Sequence, residues 1–204
     1  MNPRILIALP ARENVKTKTA VALANCMAFT AGHGINVGIS NVDTPFVSWS
    51  RCELVAEARR IKATHIFYID SDMVFQRDII LRLLSWDKDF VCVDASRRAF
   101  PIMNVCKGLD GELIDHEKGL DDLQEISLGN TACTLIDMKV FDNIAEPYFE
   151  VIFDHEKKQY KGEDYYFCQK LRDAGYKLYC DTTIRVGHEG CYTFVLNTKE
   201  ASNE

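Results

Sequence analysis

The chain has 204 residues, 47% hydrophobic and 26% charged, and 24 lysines and arginines against 30 aspartates and glutamates leave a formal charge of −6. That length allows one domain with a real core, and the apolar content excludes an intrinsically disordered chain. No run reaches the roughly 18 apolar residues of a membrane span and the apolar part of the N-terminus is too short for a signal peptide, so a cytoplasmic protein is expected. Net acidity speaks against binding nucleic acid by overall charge, although not against a local basic patch.

Arg4–Leu9 (RILIAL) is a short apolar run that ends at Pro10, which reads as a buried strand stopping where proline removes a donor. Residues 17–31 have helical composition with no glycine or proline, and 35–40 read as a second strand. Residues 50–63 place Leu54, Val55, Ala58 and Ile61 near helical spacing with charges opposite, and His65–Ile69 (HIFYI) is apolar and rich in β-formers. Such a β-α-β-α-β start predicts an α/β domain, a mainly parallel, Rossmann-like sheet flanked by helices, with its ligand crevice at the carboxyl ends of the strands. A helix over 77–86, a strand at Phe90–Val93 and a loop through Arg97, Arg98 and Pro101 continue the pattern. Residues 102–106, the turn Gly108-Leu109-Asp110-Gly111 and residues 112–114 read as a hairpin, a small excursion at the sheet edge, followed by a polar, acidic stretch to Asp122. Strand and short helix resume over 135–144, a helix over 163–174 stops at Gly175, and 177–180 is a strand. The domain is expected to cover residues 1–192, with a loose tail over 193–204.

The eight cysteines, at positions 26, 52, 92, 106, 133, 168, 180 and 191, include no C-x-x-C pair. Zinc sites usually pair ligands at short spacing, and most of these residues sit in apolar runs such as Phe90-Val91-Cys92-Val93. They read as reduced core thiols, with an unseen disulfide as the alternative.

Asp70-Ser71-Asp72 follows strand HIFYI directly, so both carboxylates fall at its carboxyl end and can present oxygens to one hard cation. Asp87-Lys88-Asp89 has the same form but precedes strand FVCV, which puts it on the opposite rim and makes it an internal control. Magnesium or manganese needs only one or two carboxylates and completes its shell with substrate phosphates and water, so the first pair points to a nucleoside diphosphate. The first glycine is Gly32, which excludes a P-loop or a glycine-rich dinucleotide turn after the first strand. Gly162-Glu163-Asp164 places two acids at a helix start, where capping alone would also favour them. Gly187-His188-Glu189-Gly190 sets a histidine between glycines; His33, His65, His116 and His155 have no such setting and read as structural.

In this order and spacing the pieces resemble a metal-dependent nucleotide-sugar glycosyltransferase of the GT-A fold, close to the family 2 type in its small stand-alone bacterial or phage form. The resemblance runs from RILIAL and Pro10-Ala11-Arg12 through the helix before HIFYIDSDM, Ser96-Arg97-Arg98 with Pro101, Gly129-Asn130-Thr131-Ala132, Pro147-Tyr148-Phe149, Gly162-Glu163-Asp164-Tyr165-Tyr166-Phe167 and Ala174-Gly175-Tyr176 to Gly187-His188. It implies that Asp70, Ser71 and Asp72 form a DxD motif, Asp72 on manganese or magnesium and Asp70 on the ribose or a metal water, with His188 completing the metal shell. It implies Asp164, with Glu163 beside it, as the base of an inverting hexosyl or pentosyl transfer. Pro10, Ala11, Arg12 and Glu13 would hold the nucleoside, Arg59 would face the diphosphate, and Gly129 and Asn130 would line the donor sugar and acceptor pocket. Arg97 and Arg98 have no assigned partner.

Two other classes share such a sheet. A sugar-phosphate nucleotidyltransferase would place a glycine-rich, basic loop after the first strand, where this chain has Ala11-Arg12-Glu13-Asn14-Val15-Lys16, and a non-catalytic nucleotide-sugar binder would not require both the acidic pair and the histidine. For the acceptor, a saccharide, a protein and a hydroxymethylated pyrimidine in phage DNA all stay open. A DNA acceptor would need a basic approach, to which Arg59, Arg60, Lys62, Arg97 and Arg98 could contribute.

Overall fold

The computed structural model describes residues 2–116 and 121–190. The expected tail over 193–204, and Cys191, lie outside the described residues.

Strand β1 (Arg4–Leu9) ends at Pro10 as its missing donor requires, and α1 (Thr17–Gly32) crosses to β2 (Asn36–Asn41). Helix α2 (Val47–Arg60) leads to β3 (His65–Ile69), a tight turn to the two-residue β4 (Met73–Val74), then α3 (Ile79–Ser85) and β5 (Phe90–Val93). After the long loop come β6 (Lys107–Gly108), β7 (Leu123–Leu128), β8 (Cys133–Asp137) and a 3-10 helix over Met138–Asp142. The hairpin β9 (Ile152–Asp154) and β10 (Gln159–Lys161) precedes α4 (Glu163–Asp173), β11 (Leu178–Asp181) and β12 (Gly187–His188). Gly175 follows α4 at φ +86, the left-handed geometry that ends a helix at no steric cost to glycine.

The main sheet has the order β2-β1-β3-β8-β5-β11-β7-β6. Six of its eight strands run the same way, and β8 and β7 are reversed. The period of two along β1 divides the core. Leu6 and Ala8 face one side with Leu54, Val55 and Ala58 of α2 and Phe167, Cys168 and Leu171 of α4. Ile5, Ile7 and Leu9 face the other, with Ala22, Leu23 and Cys26 of α1 and Ile79, Ile80 and Leu83 of α3.

The expected α/β architecture and most element positions match this arrangement, and the sheet-edge hairpin turns over 108–111 as read. Its first arm is shorter than 102–106: Asn104 instead bridges to Ser96, and Lys107–Gly108 pairs with β7. Strand β7 and the β9–β10 hairpin were not expected. In β7 only Ile126 is buried, so it carries little of the apolar signal that marks a core strand.

Candidate active site

The insertion of β8 between β3 and β5 builds the site. Ile69 pairs with Cys133, so the end of β3 meets the start of β8, and Asp70 donates its backbone N–H to the Ala132 carbonyl. Asp70, Ser71 and Asp72 then form the turn into β4. The antiparallel pair β4–β12 sets His188 opposite Met73, and Glu189 N–H bonds to the Asp72 carbonyl at 2.8 Å. Two residues 116 positions apart in sequence thereby lie side by side: His188 Nε2 is 3.2 Å from Asp72 Oδ1.

His188 has the setting of a metal ligand. Its Nδ1 lies 2.8 Å from the Ser96 carbonyl, the outer partner that orients a ligating imidazole, while the buried Nε2 meets Asp72 Oδ1 outside hydrogen-bond geometry. Two adjacent ligands of an octahedral ion, each at about 2.1 Å, lie about 3 Å apart, close to the observed gap. Asp72 is held below the usual carboxylate range, because His188 and Arg98 outweigh the effect of its burial. Arg98 donates to its other oxygen at 2.6 Å. The residues therefore fit a divalent cation, with Arg98 neutralising the same carboxylate.

A second cluster surrounds Arg51, which the sequence reading did not single out. Arg51 lies one turn into α2, 2% exposed, and Tyr68 holds its backbone carbonyl at 2.7 Å. Its Nη1 donates to Glu163 Oε1 at 2.5 Å and to Asp164 Oδ1 at 3.1 Å, and its Nη2 to Asp70 Oδ1 at 3.2 Å. Burial works against the charged guanidinium, but Asp164, Asp70 and Glu163 outweigh it and hold Arg51 ionised. Burial pushes the carboxyls of Asp164 and Asp70 up, with Arg51 opposing it in both. Thr131 donates its hydroxyl to the same Asp164 oxygen. Across both clusters, four carboxylates face two arginines, a formal −2 that suits a divalent cation.

The other expected site residues divide. Pro10 and Ala11 are buried at the end of β1, Arg12 and Glu13 are exposed and paired with each other at 3.2 Å, and Lys16 N–H bonds to the Ser71 carbonyl, so this segment does flank the Asp70–Asp72 turn. Arg59 does not. It is eight residues beyond Arg51, about 12 Å along the helix, and bonds to the Phe141 carbonyl and Asp142. Gly129 and Asn130 also turn away. Gly129 packs so tightly on Cys92 and Phe90 that a Cβ would approach within 3.1 Å of both, and Asn130 is spent on Val93, Ala132 and Cys133 backbone groups. Thr131 is the member of that segment that reaches the carboxylates. Asp89, in the control tripeptide, pairs with Lys139 at 2.6 Å on the opposite rim.

The fold also gathers Cys92, Cys106 and Cys180, whose sulfurs lie within 4.8 Å of one another although no short spacing announces them. They are buried in the apolar core, and a thiolate set there would carry uncompensated negative charge beside Asp94.

No protein-family model and no curated protein sequence matches the chain. Among solved structures it is similar to the crystal structure of A197 from STIV, with TM-score 0.60 and 16% identity over 92% of this chain and 86% of that one. It is also similar to the crystal structure of GalNAc-T7 with UDP, GalNAc and Mn2+, with TM-score 0.50 and 14% identity over 91% of this chain and 37% of that one. At such identities the likeness is one of fold, and the fold is GT-A-like. No helix among the described residues is long and apolar enough to cross a membrane.

Proposed function

We propose that this chain is a divalent-cation-dependent glycosyltransferase that moves a sugar from a nucleoside diphosphate sugar to an acceptor hydroxyl with inversion. The observation that carries the reading is the convergence, at the carboxyl rim of a GT-A-like sheet, of Asp72 and the buried Nε2 of His188 beside it with the cluster of Arg51, Asp70 and Asp164. Asp72 and His188 would hold manganese or magnesium, which supplies positive charge against a departing diphosphate. The segment from Pro10 to Glu13 binds the nucleoside beside Ser71.

The acceptor oxygen forms a bond to the anomeric carbon as the bond from that carbon to the diphosphate oxygen breaks, and Asp164 takes the hydroxyl proton. Thr131 and Arg51 both hold Asp164 Oδ1, which fixes that carboxylate and leaves Oδ2 for the proton. A carboxyl raised by burial is a better base near neutral pH than an ordinary aspartate. Incubation with Mn2+ and a panel of nucleotide sugars, followed by acceptor trials that include hydroxymethylcytosine DNA, tests the reading. Slow donor hydrolysis that disappears in Asp164→Asn supports it; no turnover or binding of any donor refutes it.

A further inference from the structure

On the side of α4 away from the core, a cavity of about 330 Å3 is lined by four cations, Lys107 of β6, Lys157 and Lys161 of the β9–β10 hairpin, and Arg172 of α4. No carboxylate lines it, and none of the four joins an ion pair among the described residues. Asp154 faces Lys157 and Lys161, but it is outside the lining and already accepts the backbone N–H groups of Glu156 and Lys157. Such a concentration of unpaired positive charge on a chain of net −6 is repulsive by itself and becomes favourable when an anion sits among the cations.

Lys107 and Lys161 are half-buried in the cavity wall, and Lys157 and Arg172 are exposed at its edge. Tyr165, Gln169 and Arg172 follow the i, i+4, i+7 spacing that puts them on one face of α4, while Phe167, Cys168 and Leu171 bury the other. The Lys161 ammonium is held over the Tyr165 ring at 4.9 Å. Arg172 leans on the Ser127 carbonyl at 3.4 Å. Two of the cavity's lining residues flank the proposed base in sequence: Tyr165 directly follows Asp164 and Lys161 precedes it by three, whereas Asp72, in the turn before β4, and His188 of β12 are the expected seat of the donor diphosphate.

We propose that this pocket binds a phosphate group of the acceptor, so that the acceptor hydroxyl approaches Asp164 from a molecule anchored through its phosphate. The acceptor part of the assignment rests on the glycosyl-transfer reading above. Four cations from three elements match a group with a charge of about −1.5 to −2 and three acceptor oxygens better than a carboxylate. Each charge-assisted contact is worth about tenfold or more in affinity.

The test is calorimetric titration of the full chain with inorganic phosphate, glucose 1-phosphate and a short single-stranded oligonucleotide, repeated on Lys107→Ser/Lys161→Ser and, as an independent variant, Arg172→Gln. Binding of at least one probe, weakened about 100-fold in the double variant and about tenfold in Arg172→Gln at unchanged melting temperature and unchanged Mn2+ binding, supports the pocket. Preference for the sugar phosphate assigns a monoester, whereas preference for the oligonucleotide, whose diesters carry one charge each, overturns the monoester assignment. Absence of binding by all three probes, or equal affinity in wild type and variants, overturns it. Failure of every nucleotide donor to bind, with phosphate binding still lost in the variants, would sink the transfer reading while the anion pocket stands.

Discussion

Arg51→Met gives the most direct test of the cluster, because methionine keeps a buried apolar stem but withdraws the guanidinium from Asp70, Glu163 and Asp164. At an effective dielectric of about 20, each such contact contributes roughly 4–5 kcal/mol of Coulomb attraction. The three acids also repel one another and are desolvated, so the net loss is smaller than the sum. Breaking a buried ion pair by deleting one partner costs about 3–5 kcal/mol. Asp70 and Asp164, already raised by burial, can take up protons once Arg51 is gone, which keeps the loss within that range. For a chain of this size that corresponds to a fall in Tm of roughly 6–20 °C.

The pH dependence has a definite sign. A carboxyl whose pKa is raised in the folded state makes an unfavourable contribution when ionised, one that is absent below the unfolded value of about 3.9 and grows as pH rises through the folded value. Removing Arg51 raises Asp164 further, so the deficit of the variant should be largest near neutral pH and shrink toward about pH 5. Urea unfolding followed by circular dichroism at both pH values measures it, with Arg51→Lys as an intermediate that keeps the charge but not the fork. A deficit below about 1 kcal/mol, or one that does not change with pH, refutes the idea that Arg51 holds the three acids together.

Asp164→Asn should abolish transfer while leaving binding of the nucleotide sugar found in the donor screen within about twofold, and in the wild type kcat/KM should decline as pH falls through the raised pKa of Asp164, above the usual aspartate range of about 3.9. Asp72→Ala and His188→Ala should each weaken Mn2+ binding, read by electron paramagnetic resonance, by about tenfold or more; unchanged binding in both would remove them as ligands. Arg98→Gln frees an oxygen of Asp72 and should tighten Mn2+ binding in the absence of nucleotide, whereas weaker binding would show that Arg98 does not compete with the ion. Thr131→Val should lower kcat more than it raises KM, because it loosens Asp164 without touching the donor segment.

The local elements of the fold were legible in the chain itself. An apolar run ending at a proline, alternating strand and helix patterns, and two acids just past a core strand located β1, α2, β3 and the Asp70–Asp72 turn, because these depend on neighbours only a few positions away. The same reasoning separated Asp70 and Asp72 from Asp87 and Asp89 by rim alone. It misplaced Arg59, since two arginines on one helix look equivalent until the fold decides which turn faces Asp70; Arg51 points inward and Arg59 reaches Asp142. It also assigned Gly129 and Asn130 to a pocket, whereas packing on Cys92 and the backbone bonds of Asn130 turn both into the core.

What only tertiary structure decided is which distant groups meet. The reversed strand β8 delivers Thr131 to Asp164, the short β4–β12 pair delivers His188 to Asp72, and the unanticipated β9–β10 hairpin brings two lysines to Lys107 and Arg172. Composition and periodicity report how each segment is buried, but charge pairing between segments depends on sheet order and register. A net charge of −6 therefore says little about either the proposed cation site or the proposed anion pocket, because each depends on charges the fold brings together locally.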